Sequence, residues 1–193
     1  MRVVREIPPY VFDNDCLSSF LWVKRLDILS SLFRDEIVVP KVVVTELNYL
    51  TTVSGGRWAW VYRALESKTR EGAVSVRDVA VGTEEAVEFM QLTQWTGYKG
   101  KRLGKGEAAV LALTRYQGGT VASNNLSDVA EYCRQYGVNL ISTDDILCLA
   151  CQREVISLSE GSELWDGMKA RKRMLPAYTF SEAFHRYRHG LPK

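Results

Sequence analysis

No uninterrupted apolar run in this chain approaches the roughly 18 residues of a membrane-spanning helix, so no span is expected. Cysteine is scarce: four in 193 residues are too few for a disulfide scaffold. Histidine is scarcer still, with only His185 and His189, both near the C-terminal end and both read as surface residues. The first 13 residues carry Arg5, Glu6 and the Pro8-Pro9 pair where an export signal needs an apolar core. Secretion is therefore not expected, and a reducing cytoplasmic setting with free thiols is. Internal repeats and low-complexity segments are also lacking, which argues against a solenoid or a disordered tract.

What is present is an ordinary globular composition, 46% hydrophobic and 25% charged, at a length that fits one domain. The net charge of +2 is unevenly spread. From Lys169 onward there are seven basic residues and one acidic; the preceding 168 residues hold 18 basic and 22 acidic. An acidic body with a basic tail suits a metal in the body and a polyanion at the tail; a merely solvated tail gives the same pattern.

Periodicity divides the chain into short apolar strands alternating with helices. Strands are expected at 10–13, 37–40, 73–79, 119–123 and 138–142. Helices are expected over 16–32 (one or two), 41–50, 58–69, 83–95, 107–116, 126–136 and 144–153, with one or two basic helices beyond. Pro40 is expected at the first helical position. This alternation predicts an α/β fold with a mainly parallel sheet, whose site lies at the carboxyl ends of the strands. The body is expected over residues 1–156, with 157–193 a basic helical extension packed on it.

Several acids stand in unusual places. Asp13 ends a buried strand, where an ionised group is costly unless solvated, paired or on a metal. Glu46 sits on its helix among Val42, Val43, Leu47 and Leu50, beside the apolar face. Glu107 repeats this among Leu103, Val110 and Leu111. Each glutamate taken alone also reads as an ordinary helix acid complementing the dipole. Together, carboxylates with no histidine or cysteine partner make a hard oxygen site for Mg²⁺ or Mn²⁺. Asp128, three residues after Asn125, is a candidate fourth acid or a simple helix-start acid. Asp144-Asp145 reads as helix capping.

Asp13 after a strand, Val39-Pro40 leading into the helix of Glu46-Leu47, and Leu103-Gly104-Lys105-Gly106-Glu107 opening another helix resemble the PIN domain. So do Thr120 to Asp128 and Gly137 to Leu147. The resemblance spans about residues 8–155 and implies a three-layer α/β/α fold and a metal-dependent nuclease acting on RNA. It also implies toxins of the VapC type held by a protein antitoxin; a homo-oligomer is expected separately. Carried over by position, the acid cluster that would hold Mg²⁺ or Mn²⁺ and carry catalysis is Asp13, Glu46, Glu107 and Asp128. One departure stands out: many members have two aspartates where Asn124 and Asn125 stand. Others have an asparagine followed three residues later by aspartate, as Asn125 and Asp128 are.

Asn125, Arg102, Lys105 and Arg171 are the candidate substrate contacts; Lys99 and Lys101 precede them in the same glycine-rich loop. Trp58, Trp60 and Tyr62 read either as base-stacking rings or as helix packing or an interface with another subunit. Cys148 and Cys151 lie within an apolar helix and read as core, without a second pair for zinc. Two rival functions accompany the nuclease. One is a PIN-like module that binds RNA or a partner without cleaving. The other is a haloacid-dehalogenase-type phosphatase, suggested by Asp13-Asn14-Asp15 and Asp144-Asp145. Leu17 departs from that pattern, and it leaves Glu46 and Glu107 unexplained.

Overall fold

A computed structural model describes residues 7–94, 98–176 and 178–191. The six residues before Ile7, Trp95 and Gly97 at the limits of a predicted helix and loop, and Lys193 of the tail lie outside the described residues. The first half of the chain runs β1 (Tyr10–Phe12), α1 (Asn14–Trp22), α2 (Leu26–Phe33), β2 (Ile37–Pro40), α3 (Lys41–Val53), α4 (Ala59–Arg70), β3 (Val74–Arg77) and α5 (Glu84–Thr93). The second half runs α6 (Lys105–Gln117), β4 (Thr120–Ala122), α7 (Leu126–Tyr136), β5 (Asn139–Ile141), α8 (Thr143–Gln152), α9 (Leu158–Ala170) and α10 (Phe180–His189).

All five strands are parallel, in the order β3-β2-β1-β4-β5. Successive strand residues point to opposite faces, and at β1, β2 and β4 both faces are covered. Tyr10, Phe12, Ile37 and Val39 join a core with α1 to α4 and α8 to α10. Val11, Val38 and Val121 join a second core with Leu92, Val110, Leu113 and Tyr132 of α5, α6 and α7. The result is a three-layer α/β/α arrangement. Double burial explains why β1 and β2 read as continuous apolar runs, whereas the segment of β3, exposed at three of its four residues, alternates.

Chain order reverses between β1 and β4: β2 and β3 lie to one side of β1, β4 and β5 to the other. Helices diverge at such a switch point and leave a crevice beyond the strand ends. Asp13 follows β1 and Ser123-Asn124-Asn125 follows β4, so both open into that crevice.

The helical segments after residue 157 are not loosely attached. Trp165, Met168, Phe180 and Tyr187 belong to the same buried cluster as Phe12 and Leu17. Gly161 makes this packing possible, since a Cβ there would stand 2.2 Å from the Phe180 ring. Three local expectations need correction. Pro40 is not the first helical residue: it stays extended and in register with Arg77 of β3, and α3 begins one residue later. α6 opens at Lys105, ahead of Glu107, because Gly104 takes the extended capping conformation. Of the two C-terminal helices only α10 is basic; α9 carries Glu160, Glu163 and Asp166.

A carboxylate cleft as candidate active site

Asp13 is placed by two local demands. Its amide continues the sheet by donating to Ala122 O at 3.0 Å. Its Oδ1 caps α1 by accepting from Cys16 N at 2.7 Å. The side chain is 2% exposed. Burial pushes its carboxyl up to about 7, and the nearby charges of Asp15 and Glu107 add to the effect. Hydrogen bonds from Ser123 and the Cys16 backbone oppose it.

Glu46 reaches the same cleft from the second turn of α3, so a first-turn dipole role does not account for it. Its Oε2 accepts from Asn14 Nδ2 at 3.2 Å. Half-burial raises its pKa, with Asp15 and Glu107 contributing and the bonds from Asn14 and the Gly106 backbone opposing. α6 approaches closely because residue 106 is glycine: a Cβ there would lie 3.3 Å from Glu46 Oε2 and 3.2 Å from Val43 Cγ2. Glu107 is the third residue of α6. Its Oε2 accepts from Gly104 N at 3.2 Å, so the helix-start role and the cleft role coincide. Its Oε1 accepts from Asn125 Nδ2 at 2.6 Å.

Asp13, Glu46 and Glu107 thus line one open cleft of about 190 Å³ with Asn14, Asp15, Gly104 and Gly106. Asp15 is the acid that sequence reasoning did not place here. Its signal was its position two residues after Asp13, in the first turn of α1.

Asp128 is a partial correction. Its carboxylate lies outside the cleft lining, ion-paired to Lys101 and accepting from Asn125 Nδ2 at 2.8 Å. Lys101 and Asn125 hold its pKa below the usual carboxylate range. Asn125 is therefore the link: one amide nitrogen joins Glu107 inside the cleft to Asp128 beside it. Asn124 points elsewhere, accepting from Thr143 N at 2.9 Å and donating to Ser19 Oγ at 3.3 Å. It stitches α1 to the start of α8.

Asp144 and Asp145 do not complete the cluster. Asp145 Oδ2 accepts from Ser142 N at 3.1 Å and from Ser142 Oγ at 2.8 Å, and Asp144 also accepts from Ser142 Oγ. They cap α8, which removes the late metal acids the phosphatase pattern required.

Arg102 and Lys105 are exposed and lie within two residues of Gly104, which lines the cleft, whereas Lys99 and Lys101 pair with Glu131 and Asp128 of α7. Arg171 is exposed at the end of α9 and bonds Gly167 O at 2.9 Å. Trp58 and Trp60 pack edge-on against Trp22, at 4.7 and 5.5 Å between ring centres. Cys148 is buried, and the half-buried Cys151 thiol is pushed up to about 11 by desolvation. His185 and His189 are exposed.

Among the described residues, no three His, Cys, Asp or Glu side chains meet closely enough to form a ready-made metal cage. The donor set still fits Mg²⁺ or Mn²⁺ in kind. It is all oxygen and anionic, and Asp13 and Glu46 each feel repulsion from Asp15 and Glu107 that a cation would relieve. Mg²⁺ ordinarily takes one or two carboxylates and keeps several waters, so an open cleft suffices.

A doubly wound three-layer domain with acids gathered at its switch point defines a compact class of α/β proteins. The chain belongs to the PIN-domain family: the model of a family described as a PIN domain, DUF3368, matches residues 9–188. PIN domains are generally nucleases. No curated protein matches the chain. Among the described residues no helix is long and apolar enough to cross a membrane.

Proposed function

We infer that this protein is a divalent-metal-dependent endoribonuclease. The observation that carries the reading is the convergence of Asp13, Asp15, Glu46 and Glu107 on one cleft at the switch point between β1 and β4. Asp13, Glu46 and Glu107 would hold Mg²⁺ or Mn²⁺, with Asp15 at the margin. When bound, such an ion supplies water activation near neutral pH and neutralises charge on a phosphodiester. The chain's own residues do the rest. Asn125 fixes the orientation of Glu107, and Asn14 that of Glu46. Arg102 and Lys105, close in sequence to Gly104 of the cleft, attract the phosphate backbone, as the basic turn at Arg171 does at longer range. Within this reading, the toxin-type members that the sequence resembles imply a protein antitoxin as partner, and a homo-oligomer is the expected assembly.

The test is cleavage of single-stranded RNA with Mn²⁺ or Mg²⁺, with and without chelator. Activity is expected only with the ion. Asp13→Asn should lose cleavage by at least about 100-fold while keeping RNA affinity, since the asparagine still caps α1. Cleavage indifferent to chelator would remove the reading. Binding without cleavage is the second reading, and one observation favours it: Asn124 and Asn125 stand where many members of the family the sequence resembles have two aspartates. Metal-dependent RNA binding with no cleavage in any divalent ion would establish it.

A further inference from the structure

The turn between α9 and α10 carries Met174, Leu175 and Pro176 across the carboxyl ends of β4 and β5. There they face the start of α7 and enclose a pocket of about 370 Å³ with Asn124, Asn125 and Ser127. Asn125 connects this pocket to the carboxylate cleft: it lines the pocket, and its side chain donates to Glu107, which lines the cleft. A phosphodiester held at the carboxylates would therefore have a neighbouring nucleoside within one side chain of this pocket.

We propose that this pocket is a subsite for one unpaired base of the RNA strand cleaved at the carboxylates. This rests on the ribonuclease reading above. The wall chemistry selects the base rather than the phosphate. Met174 is 54% exposed and Leu175 and Pro176 are half-buried, so together they offer an adaptable apolar surface to a flat ring. The opposite wall is polar. Ser127 is exposed, with its hydroxyl donating to Asn125 Oδ1 at 2.9 Å and its oxygen able to accept from a base edge, and Asn124 lines the same wall. Asp144 lines the same pocket and, among the described residues, no lysine or arginine does, which disfavours phosphate there. Basic groups stand outside instead, at Arg171 and Lys172 on the turn, where the strand's phosphates would run. A base enters such a pocket only when it is out of a helical stack, so single-stranded RNA is the substrate form that fits.

The experiment is a cycle between protein and substrate. The cleavage site of the unaltered protein is first mapped on a short single-stranded RNA in Mn²⁺. An abasic nucleotide is then placed on either side of that bond. Binding is measured in chelator for the unaltered protein and for the double variant Met174→Ala, Leu175→Ala. Both side chains are partly exposed, and melting temperature checks the fold. The variant should bind the intact RNA about fivefold more weakly, and the abasic nucleotide on one side should weaken the unaltered protein equally. The two changes together should cost no more than either alone. If the two losses simply add, or if duplex RNA binds as tightly as single strands, the subsite is wrong while the nuclease reading stands. If the unaltered protein does not cleave RNA in any divalent ion, both fall together.

Discussion

The amide nitrogen of Asn125 donates to Glu107 at 2.6 Å, so the residue at the start of α7 holds a carboxylate that lines the cleft from α6. The same nitrogen donates to Asp128, whose other contact is Lys101. A chain of four residues therefore connects the loop before α6 to the cleft. Asp128 stands at its outer end, outside the lining that contains Asp13.

That arrangement sets an order of effects. Glu107→Gln should lower metal-dependent cleavage most strongly. Asp128→Asn should cost less, about 10–100-fold, because it works through Asn125 and Lys101. Asn125→Asp would add a carboxylate beside two others. It should destabilise the metal-free protein and tighten Mn²⁺ binding, both readable by melting with and without the ion. Equal losses for Glu107→Gln and Asp128→Asn would place Asp128 in the cleft after all.

Asp13 predicts a pH dependence of stability in chelator. Its carboxyl is raised from 3.8 to about 7 in the folded chain, so the unfolded chain gives up this proton first. The protonated folded form is therefore favoured at low pH. That contribution is lost as pH rises from about 4 to about 7, on the order of a few kcal/mol. Asp13→Asn should flatten the slope and raise the melting temperature at pH 8 without metal. The unaltered protein should gain more from Mn²⁺ at pH 8 than at pH 5. A parallel slope in the variant would mean that Asp13 does not titrate in this range.

Gly106→Ala separates packing from function. Alanine in a helix is favoured over glycine by about 0.5–1 kcal/mol. Its methyl carbon would stand 3.2 Å from Val43 and 3.3 Å from Glu46, crowding both. The two effects largely offset in stability, so the melting temperature should change little. Glu46 must move, so cleavage should fall about tenfold or more. Full activity in this variant would show that the position of Glu46 is not critical.

Replacing Cys148 and Cys151 by alanine should cost about 1–2 kcal/mol through lost packing, most of it from Cys148, which is 1% exposed. Activity per folded molecule should stay unchanged, and the purified protein should contain no zinc. Loss of activity with an intact fold would assign the pair a chemical role.

Substituting Arg171, Lys172 and Arg173 together by glutamine should weaken RNA binding and flatten its salt dependence by up to about 2–3 in slope. An unchanged slope would show that the tail does not meet phosphate. Arg173 also lies 5.9 Å above the Trp22 ring, so a small loss of stability should accompany the change.

Strand and helix alternation, the parallel sheet and three acids of the cleft were legible along the chain, because each rests on local pattern. β2 and β4 read as unbroken apolar runs since both faces of the sheet are buried. Asp13, Glu46 and Glu107 stood out because each places charge on an apolar surface. The partners of the outer acids were not legible. Asp15, Asp128 and Asp144 all sit in the first turn of a helix, where an acid is ordinary and its direction unmarked. Only the packing of α1 against α3, which in turn packs on α6, turns Asp15 into the cleft. Lys101 draws Asp128 outward, and Ser142 engages Asp144. Asn124 and Asn125 are identical neighbours, yet one bonds to the start of α8 and the other to Glu107. The order of strands at the sheet's centre separates them, since β5 brings Thr143 to the first and α6 brings Glu107 to the second.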